Sequence, residues 1–382
     1  MSPTTPVGDS MWRHIRAGRQ PSAATVDDLA ADDATLLGDR GLELQSRLAA
    51  DLLGAGPLED LLHRPGVTDV LVNGVDGVFV DTGEGLVRTA VDLTDADHVR
   101  RLAVRLAGLA GRRLDDSSPY VDGLLPGGVR LHAVLPPVVQ GAAHISLRVP
   151  RSTGLDLDAL GRSGGVSPVL VPVLRRLVGA RLAFVVSGGT GSGKTTLLAA
   201  LLAEADPGER LVVVEDVREL AIAHPHVVRL EARSANVEGR GAVTMTALVR
   251  QSLRMRPDRL VVGEVRGAEV RELLSALNTG HEGGCGTLHA NTIGDVVARF
   301  EALGALADMT PEATRTQLAS AVRVVLHLRR TTGRRHLAEI GVLRRDGGDL
   351  RCVPACTVHD DRVEPGPAAD ELEALLGSVP AW

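Results

Sequence analysis

The chain is almost without lysine. Of 42 basic residues in 382, 41 are arginine and the single lysine is Lys194. Aromatic residues are nearly as rare, with two Trp, one Tyr and three Phe. So few rings exclude an aromatic stacking platform for single-stranded nucleic acid. They also leave Leu, Val and Ala to build the core. Cysteine is limited to Cys285, Cys352 and Cys356. The last two are spaced C-x3-C with no second pair, which is too few thiolates for a structural zinc site, so reduced thiols are expected. No stretch approaches the roughly 18 consecutive apolar residues of a membrane span. The opening text, MSPTTPVGDSMWRHIRAGRQ, lacks the apolar core of a signal peptide, and a cytoplasmic protein is expected. A basic excess is missing too: 48 acids against 42 bases give a net charge of −6. That balance argues against a dedicated nucleic-acid binder.

What is present is an ordinary globular composition, 44% hydrophobic and 24% charged. The length suggests two or three domains. Residues 1–40 are rich in Pro, Ser, Thr, Ala and Asp and read as a flexible tail. From 41 to 151 the text predicts a small α+β domain. It opens on helical spacing broken by Gly54, Gly56 and Pro57. Short strands meeting at Asn73-Gly74 or Asp76-Gly77 follow, then a helix over about 94–110 and strands near 129–135 and 143–148. A glycine-containing linker is expected over 152–172. Beyond it, LAFVVS, LVVVE, VVRLE and RLVVGE alternate with helical stretches, as in a mostly parallel sheet covered by helices. This α/β domain is assigned to 173–350. It includes a helix over 310–328 and a terminal hairpin, HLRRTTGRRHLAEIGVLRR, with arginines on one face. Residues 351–382, rich in Pro and acids, read as a tail ending in a short helix.

The strongest signal is G-x-x-x-x-G-K-[ST], filled by Gly188, Gly189, Thr190, Gly191, Ser192, Gly193, Lys194 and Thr195, with Thr196 next. An apolar strand precedes it and a helix follows, as the motif requires. Glycines let backbone N–H groups converge on phosphate oxygens, and the helix adds its positive end. Lys194 is expected on the β- and γ-phosphates and the Thr195 hydroxyl on Mg²⁺. A guanine-specific switch normally reads its base through N/T-K-x-D, and this chain has no second lysine. ATP, or a loosely selected purine triphosphate, is therefore expected over a GTPase switch. The strand 256–267 ends at Gly263-Glu264, which marks Glu264 as the candidate to polarise water or touch the metal. The strand LVVVE leads into Glu215, Asp216 and Glu219, expected to shape the same site; a solvated acidic loop is the alternative for Asp216 and Glu219. His281 and His289 lie in glycine-rich text, with His289 at a strand end where it can sense the γ-phosphate. Cys285 reads as a small apolar residue, and His63, His132 and His327 as ordinary surface or core residues.

GGTGSGKTTLL, VVVEDVREL, LEARSANVEG, VRQSLRMRPDRLVVGEVRGAE and NTGHEGGCGTLHANT, in that order, resemble the type II/IV secretion ATPases. GPLEDLL, VTDVLVNG, GRRLDDSSPYVDG and RLHAVLPP place the resemblance in the tight-adherence (Tad/Flp) pilus assembly branch, related to VirB11-like conjugation ATPases. It spans roughly 48–345 and implies a RecA-like P-loop ATPase domain behind the smaller N-terminal domain. It further implies ATP and Mg²⁺ as ligands, a hexameric ring, and membrane platform proteins as partners at the cytoplasmic face. By the same resemblance Glu264 is the Walker B glutamate, Glu215, Asp216 and Glu219 form an acidic box, and His281 and His289 a histidine box. Thr195, Glu264 and Asp216 would serve the metal. Arg113, Arg130 and Arg148 match phosphate-contacting arginines of the N-terminal domain, and Arg233, Arg254 and Arg256 further ones in the ATPase domain. One departure stands out. Where the branch reads D-A-R-L-P-D-G-S-R, this chain has DGLLPGGVR, with Leu124, Gly127 and Val129 at the first arginine, second aspartate and serine. The rivals to a pilus motor are a VirB11-like conjugation or protein-secretion motor, a DNA-moving translocase, and a nucleotide-binding scaffold that does not hydrolyse.

Overall fold

Burial sorts the strands into two sheets, one in each of two compact units that meet at residues 150 and 151. The structure, a computed structural model, describes residues 54–83, 85–149, 155–233, 240–280, 283–331, 334–347, 349–359 and 362–377. Expectations for residues 1–40 and for His281 lie outside these.

In the first unit six antiparallel strands, β1 (Asp69–Asn73), β2 (Val78–Asp81), β3 (Leu86–Arg88), β4 (Tyr120–Leu124), β5 (Arg130–Val134) and β6 (His144–Arg148), take the order β3-β2-β1-β6-β5-β4. Alternation in β1 buries Val70 and Val72, as a sheet with one covered face requires. The cover includes helix Ala96–Leu109. Its N-terminus is capped by Asp95, which accepts from the His98 N–H at 2.7 Å. Its residues Val99, Leu102, Ala103 and Leu106 form the buried stripe.

The second unit carries nine strands in the order β15-β14-β13-β12-β7-β11-β10-β8-β9. Strands β7 (Phe184–Gly188), β8 (Leu211–Glu215), β9 (Val227–Glu231), β10 (Arg259–Val262), β11 (Cys285–His289) and β12 (Val324–Thr331) run parallel. Strands β13 (Arg334–Asp346), β14 (Asp349–His359) and β15 (Arg362–Pro365) continue the sheet antiparallel. Every residue of β7, β8 and β10 is buried, as expected of strands covered on both faces. Helix Lys194–Ala203 is apolar nearly all round and belongs to the core beneath the sheet.

Three sequence expectations are corrected. Residues 155–172 are not a linker: Asp156 caps a helix Leu157–Arg162 that buries Leu157 and Leu160, and Leu170 starts the next helix. The helix expected over 310–328 ends at Ala321, and Val324 begins β12, because Val-Val-Leu-His-Leu is buried between β7 and β13. The tail expected from 351 is largely strand β14, with Ala355 and Cys356 fully buried; helix Ala369–Leu376 then adds Leu372 and Leu376 to the core.

Candidate functional site

Parallel strands deliver their C-terminal ends to one edge of the sheet, the usual place for ligands in such folds. On that edge β7 ends at Gly188, β11 at His289 and β8 at Glu215, while Glu264 lies two residues beyond the end of β10.

The loop after β7 has a conformation only glycine sustains at three points, with φ of 147° at Gly188, 69° at Gly191 and 98° at Gly193. Space forbids a side chain at the first: a Cβ on Gly188 would meet the Leu328 carbonyl oxygen at 2.5 Å and Ser192 Oγ at 2.7 Å. Helix Lys194–Ala203 begins directly behind Gly193 and aims its N-terminus at the loop. The Lys194 ammonium donates to the carbonyls of Gly188 at 3.1 Å and Gly189 at 2.9 Å. Burial lowers the Lys194 pKa below the ordinary lysine value, and the carboxylates of Glu264 and Glu219 oppose that shift. The Ser192 hydroxyl is buried with no hydrogen-bond partner among the described residues. A positively charged loop with a buried unsatisfied hydroxyl fits a phosphate chain.

His289 and Glu264 face each other beside this loop, with Nε2 to Oε1 at 2.9 Å; Lys194 Nζ is 3.4 Å from the same nitrogen. Burial and the Lys194 ammonium hold His289 below the usual imidazole range, against the pull of Glu264. A neutral ring at the shorter contact donates Nε2–H to Glu264. The Glu264 backbone is fixed from both sides. Gly263 N–H donates to the Val214 carbonyl, Thr287 Oγ1 donates to the Gly263 carbonyl at 2.7 Å, and Val265 N–H donates to the Thr287 carbonyl. Thr287 is a positioning residue that the sequence reading missed, since nothing in TLH distinguishes it from an ordinary strand threonine.

The acidic box divides by role. Glu215 is buried and accepts the N–H groups of Glu219 and Leu220, each at 2.8 Å, so one oxygen shapes the loop; burial raises its pKa. A Cβ on Gly263 would lie 2.7 Å from Glu215 Cγ. The space that a side chain at Gly263 would need is therefore filled by Glu215 from the neighbouring strand. Asp216 is ion-paired with Arg266, and Glu219 is exposed. Among the described residues no three His, Cys, Asp or Glu side chains converge as a metal cluster. A hydroxyl with one or two carboxylates and phosphate oxygens is the donor set that suits Mg²⁺, and Thr195 with Glu264 meets it.

Other candidates of the second unit stand elsewhere on its sheet. Arg254 and Arg256 precede β10 and so stand at the opposite edge of the sheet, and Arg233 lies past the outer strand β9, donating to the Gly241 carbonyl at 2.7 Å. In the first unit Arg113 pairs with Asp115. Arg130 and Arg148 are cross-strand partners, and Arg148 donates to Asp69 at 3.1 Å.

The buried strand, glycine loop, Lys194 and the adjacent Glu264–His289 pair define a P-loop protein built on a RecA-like sheet. The description "Type II/IV secretion system protein" matches residues 51–353, and the chain belongs to that family. The "Putative conjugal transfer protein" of Mycobacterium tuberculosis (strain H37Rv) is 56% identical over 335 residues, covering 86% of this chain and 95% of the relative. The conjugal transfer protein TrbB of Rhizobium radiobacter is 33% identical, with 72% and 83% covered. The type IV secretion system protein VirB11 of Brucella suis is 32% identical, with 74% and 88% covered. Among solved structures, the pilus retraction motor PilT with bound ADP shares the fold at a TM-score of 0.52 and 20% identity, with 82% of each chain covered.

Proposed function

We propose that the chain binds ATP with Mg²⁺ and hydrolyses it as one subunit of a ring-forming motor for conjugal transfer or type IV secretion. The observation that carries this reading is the Glu264–His289 pair beside Lys194 at the lip of the glycine loop. The loop amides and Lys194 would bind the phosphate chain, and Thr195 and Glu264 would hold Mg²⁺, which neutralises phosphate charge when bound. Glu264 would accept a proton from the attacking water, and the neutral His289 would orient that carboxylate through its N–H. Asp216, tied to Arg266, would reach the metal only by leaving that partner. Relatives at 32–56% identity bear conjugal-transfer and secretion names, which favours that machine over the pilus branch expected from the N-terminal text. A cytoplasmic position against membrane platform proteins belongs to the same proposal. Among the described residues no helix is long and apolar enough to cross a membrane.

The test is Glu264→Gln. The variant is expected to bind ATP with wild-type affinity and to lose turnover by about a hundredfold or more. Unchanged phosphate release would remove Glu264 from the mechanism. Absence of ATP hydrolysis by the wild type, with or without its membrane partners, would favour a scaffold.

A further inference from the structure

Strand β10 ends at Val262 and the next helix runs Val270–Leu277, so Glu264 sits on the loop between them. The core fixes the first part of that loop: Val265 is buried, and its N–H donates to the Thr287 carbonyl at 2.9 Å. Beyond Val265 the chain turns outward at Arg266, which is exposed. There one side chain takes hold of it. Glu269 Oε1 accepts the backbone N–H groups of Arg266 and Gly267, each at 2.8 Å. Gly267 leaves room for this contact, since a Cβ on it would lie 2.9 Å from Glu269 Oε2.

A glutamate at the start of a helix often reaches back in this way, as half of a capping box. Such a cap usually lies at the surface, but Glu269 is only 4% exposed. A buried carboxylate is costly unless hydrogen bonds replace its hydration. The two amides therefore hold the carboxylate in place, and it fixes them in turn. Glu215 does the same on the neighbouring loop, where it accepts the Glu219 and Leu220 N–H groups. Strand β8 lies directly beside β10, and the Asp216–Arg266 ion pair ties the two loops together. Because the Arg266 N–H is one of the groups it holds, Glu269 sets the path of the chain as it leaves Glu264. It also sets the direction in which Arg266 departs towards Asp216.

We infer that Glu269 is a positioning residue for hydrolysis: it holds the backbone that follows Glu264, so that the Glu264 carboxylate stays against His289 beside the glycine loop. The inference rests on the reading above in which Glu264 accepts a proton from the attacking water. Ligand affinity is set by the glycine loop and Lys194, so a loosened Glu264 slows the chemical step and leaves binding almost unchanged.

The experiment measures steady-state ATP hydrolysis and calorimetric binding of Mg-ADP on the full chain. The variants are Glu269→Ala, Glu269→Gln, Gly267→Ala, and Glu269→Ala combined with Glu264→Gln. Glu269→Ala is expected to lower kcat about tenfold or more, with KM and the Mg-ADP Kd within about twofold of wild type. Glu269→Gln keeps an acceptor oxygen for both N–H groups and is expected to recover most of that loss. Gly267→Ala pushes the carboxylate aside without removing it. It is expected to lower kcat about threefold or more at an unchanged melting temperature, and it decides the question if Glu269→Ala fails to fold. Since Glu269 acts through Glu264, the double variant is expected to turn over no more slowly than Glu264→Gln alone. A kcat within about twofold of wild type in Glu269→Ala and Gly267→Ala overturns the inference. So does a glutamine variant no better than the alanine one, a loss of Mg-ADP affinity in step with kcat, or a double variant whose losses add. If instead wild type and Lys194→Ala bind Mg-ADP equally, the nucleotide site itself is wrong and the inference falls with it.

Discussion

Lys194 is 7% exposed, and its ammonium lies between two loop carbonyls in a chain that uses arginine at every other basic position. An ammonium is a compact donor on a flexible stem. A guanidinium is a broad planar fork that does not fit between the oxygens of Gly188 and Gly189. Lys194→Arg is therefore expected to reduce ATP turnover at least about a hundredfold despite keeping the charge, read as phosphate release at saturating ATP. Near-normal turnover would show that charge alone is required. The glycine-loop motif marked Lys194 and Thr195, and a strand end marked Glu264, as candidates in the sequence, because the roles proposed for them depend on neighbours a few residues away. Glu215 was legible only as an acid. That it fills the space beside Gly263 depends on β8 lying next to β10, a pairing between residues far apart in the chain. Thr287 was illegible for the same reason.

At the scale of elements, β7 is tied to β12 by backbone pairing and by one buried side-chain contact. Ser187 Oγ and His327 Nδ1 share a hydrogen bond of 2.9 Å, and both residues are buried. Burial, and then the charge of Arg329, push the His327 pKa down to about 4 from the ordinary 6.5. The neutral ring is the form the fold accepts, so its contribution is complete above about pH 6.5. As the pH falls from there towards 4, the unfolded chain binds a proton that the folded chain refuses, and stability drops by about 1.4 kcal/mol per pH unit. Between pH 6.5 and 5, wild type is expected to lose about 1.5 kcal/mol more than His327→Gln, measured by urea unfolding at both pH values. Equal losses would place the ring in a site indifferent to its charge. The parallel strands were legible as short apolar runs. Strand β12 was not, because Val-Val-Leu-His-Leu joins an amphipathic helix without glycine or proline between them. Strand β14 was hidden by Pro354, which sits beside the irregularity in its pairing with β13.

At the scale of the whole molecule, Arg130 and Arg148 adjoin on the first unit's sheet while the glycine loop belongs to the second. We propose, as the family resemblance implies, that a neighbouring subunit supplies phosphate-contacting arginines. Activity is then expected to be cooperative in protein concentration, with specific ATPase activity falling on dilution as the assembly dissociates. Sedimentation at the same concentrations should track that fall. A monomer of full specific activity would exclude a contribution from a second subunit.

The sheet order also bears on how the chain is made. Strand β7 carries the loop, yet its two neighbours, β11 and β12, are translated about a hundred and about 140 residues after it. At ribosomal speeds of about 5–20 residues per second, a finished glycine loop waits several seconds for its first flanking strand. During that interval both edges of a strand that is wholly buried in the finished fold are open to wrong partners. The loop's shape, set partly by the Leu328 carbonyl against Gly188, arrives only with the hairpin that closes the second edge. Competence to hold a ligand is thus acquired late in synthesis, and a chain cut short before β12 would display its most aggregation-prone strand as an open sheet edge.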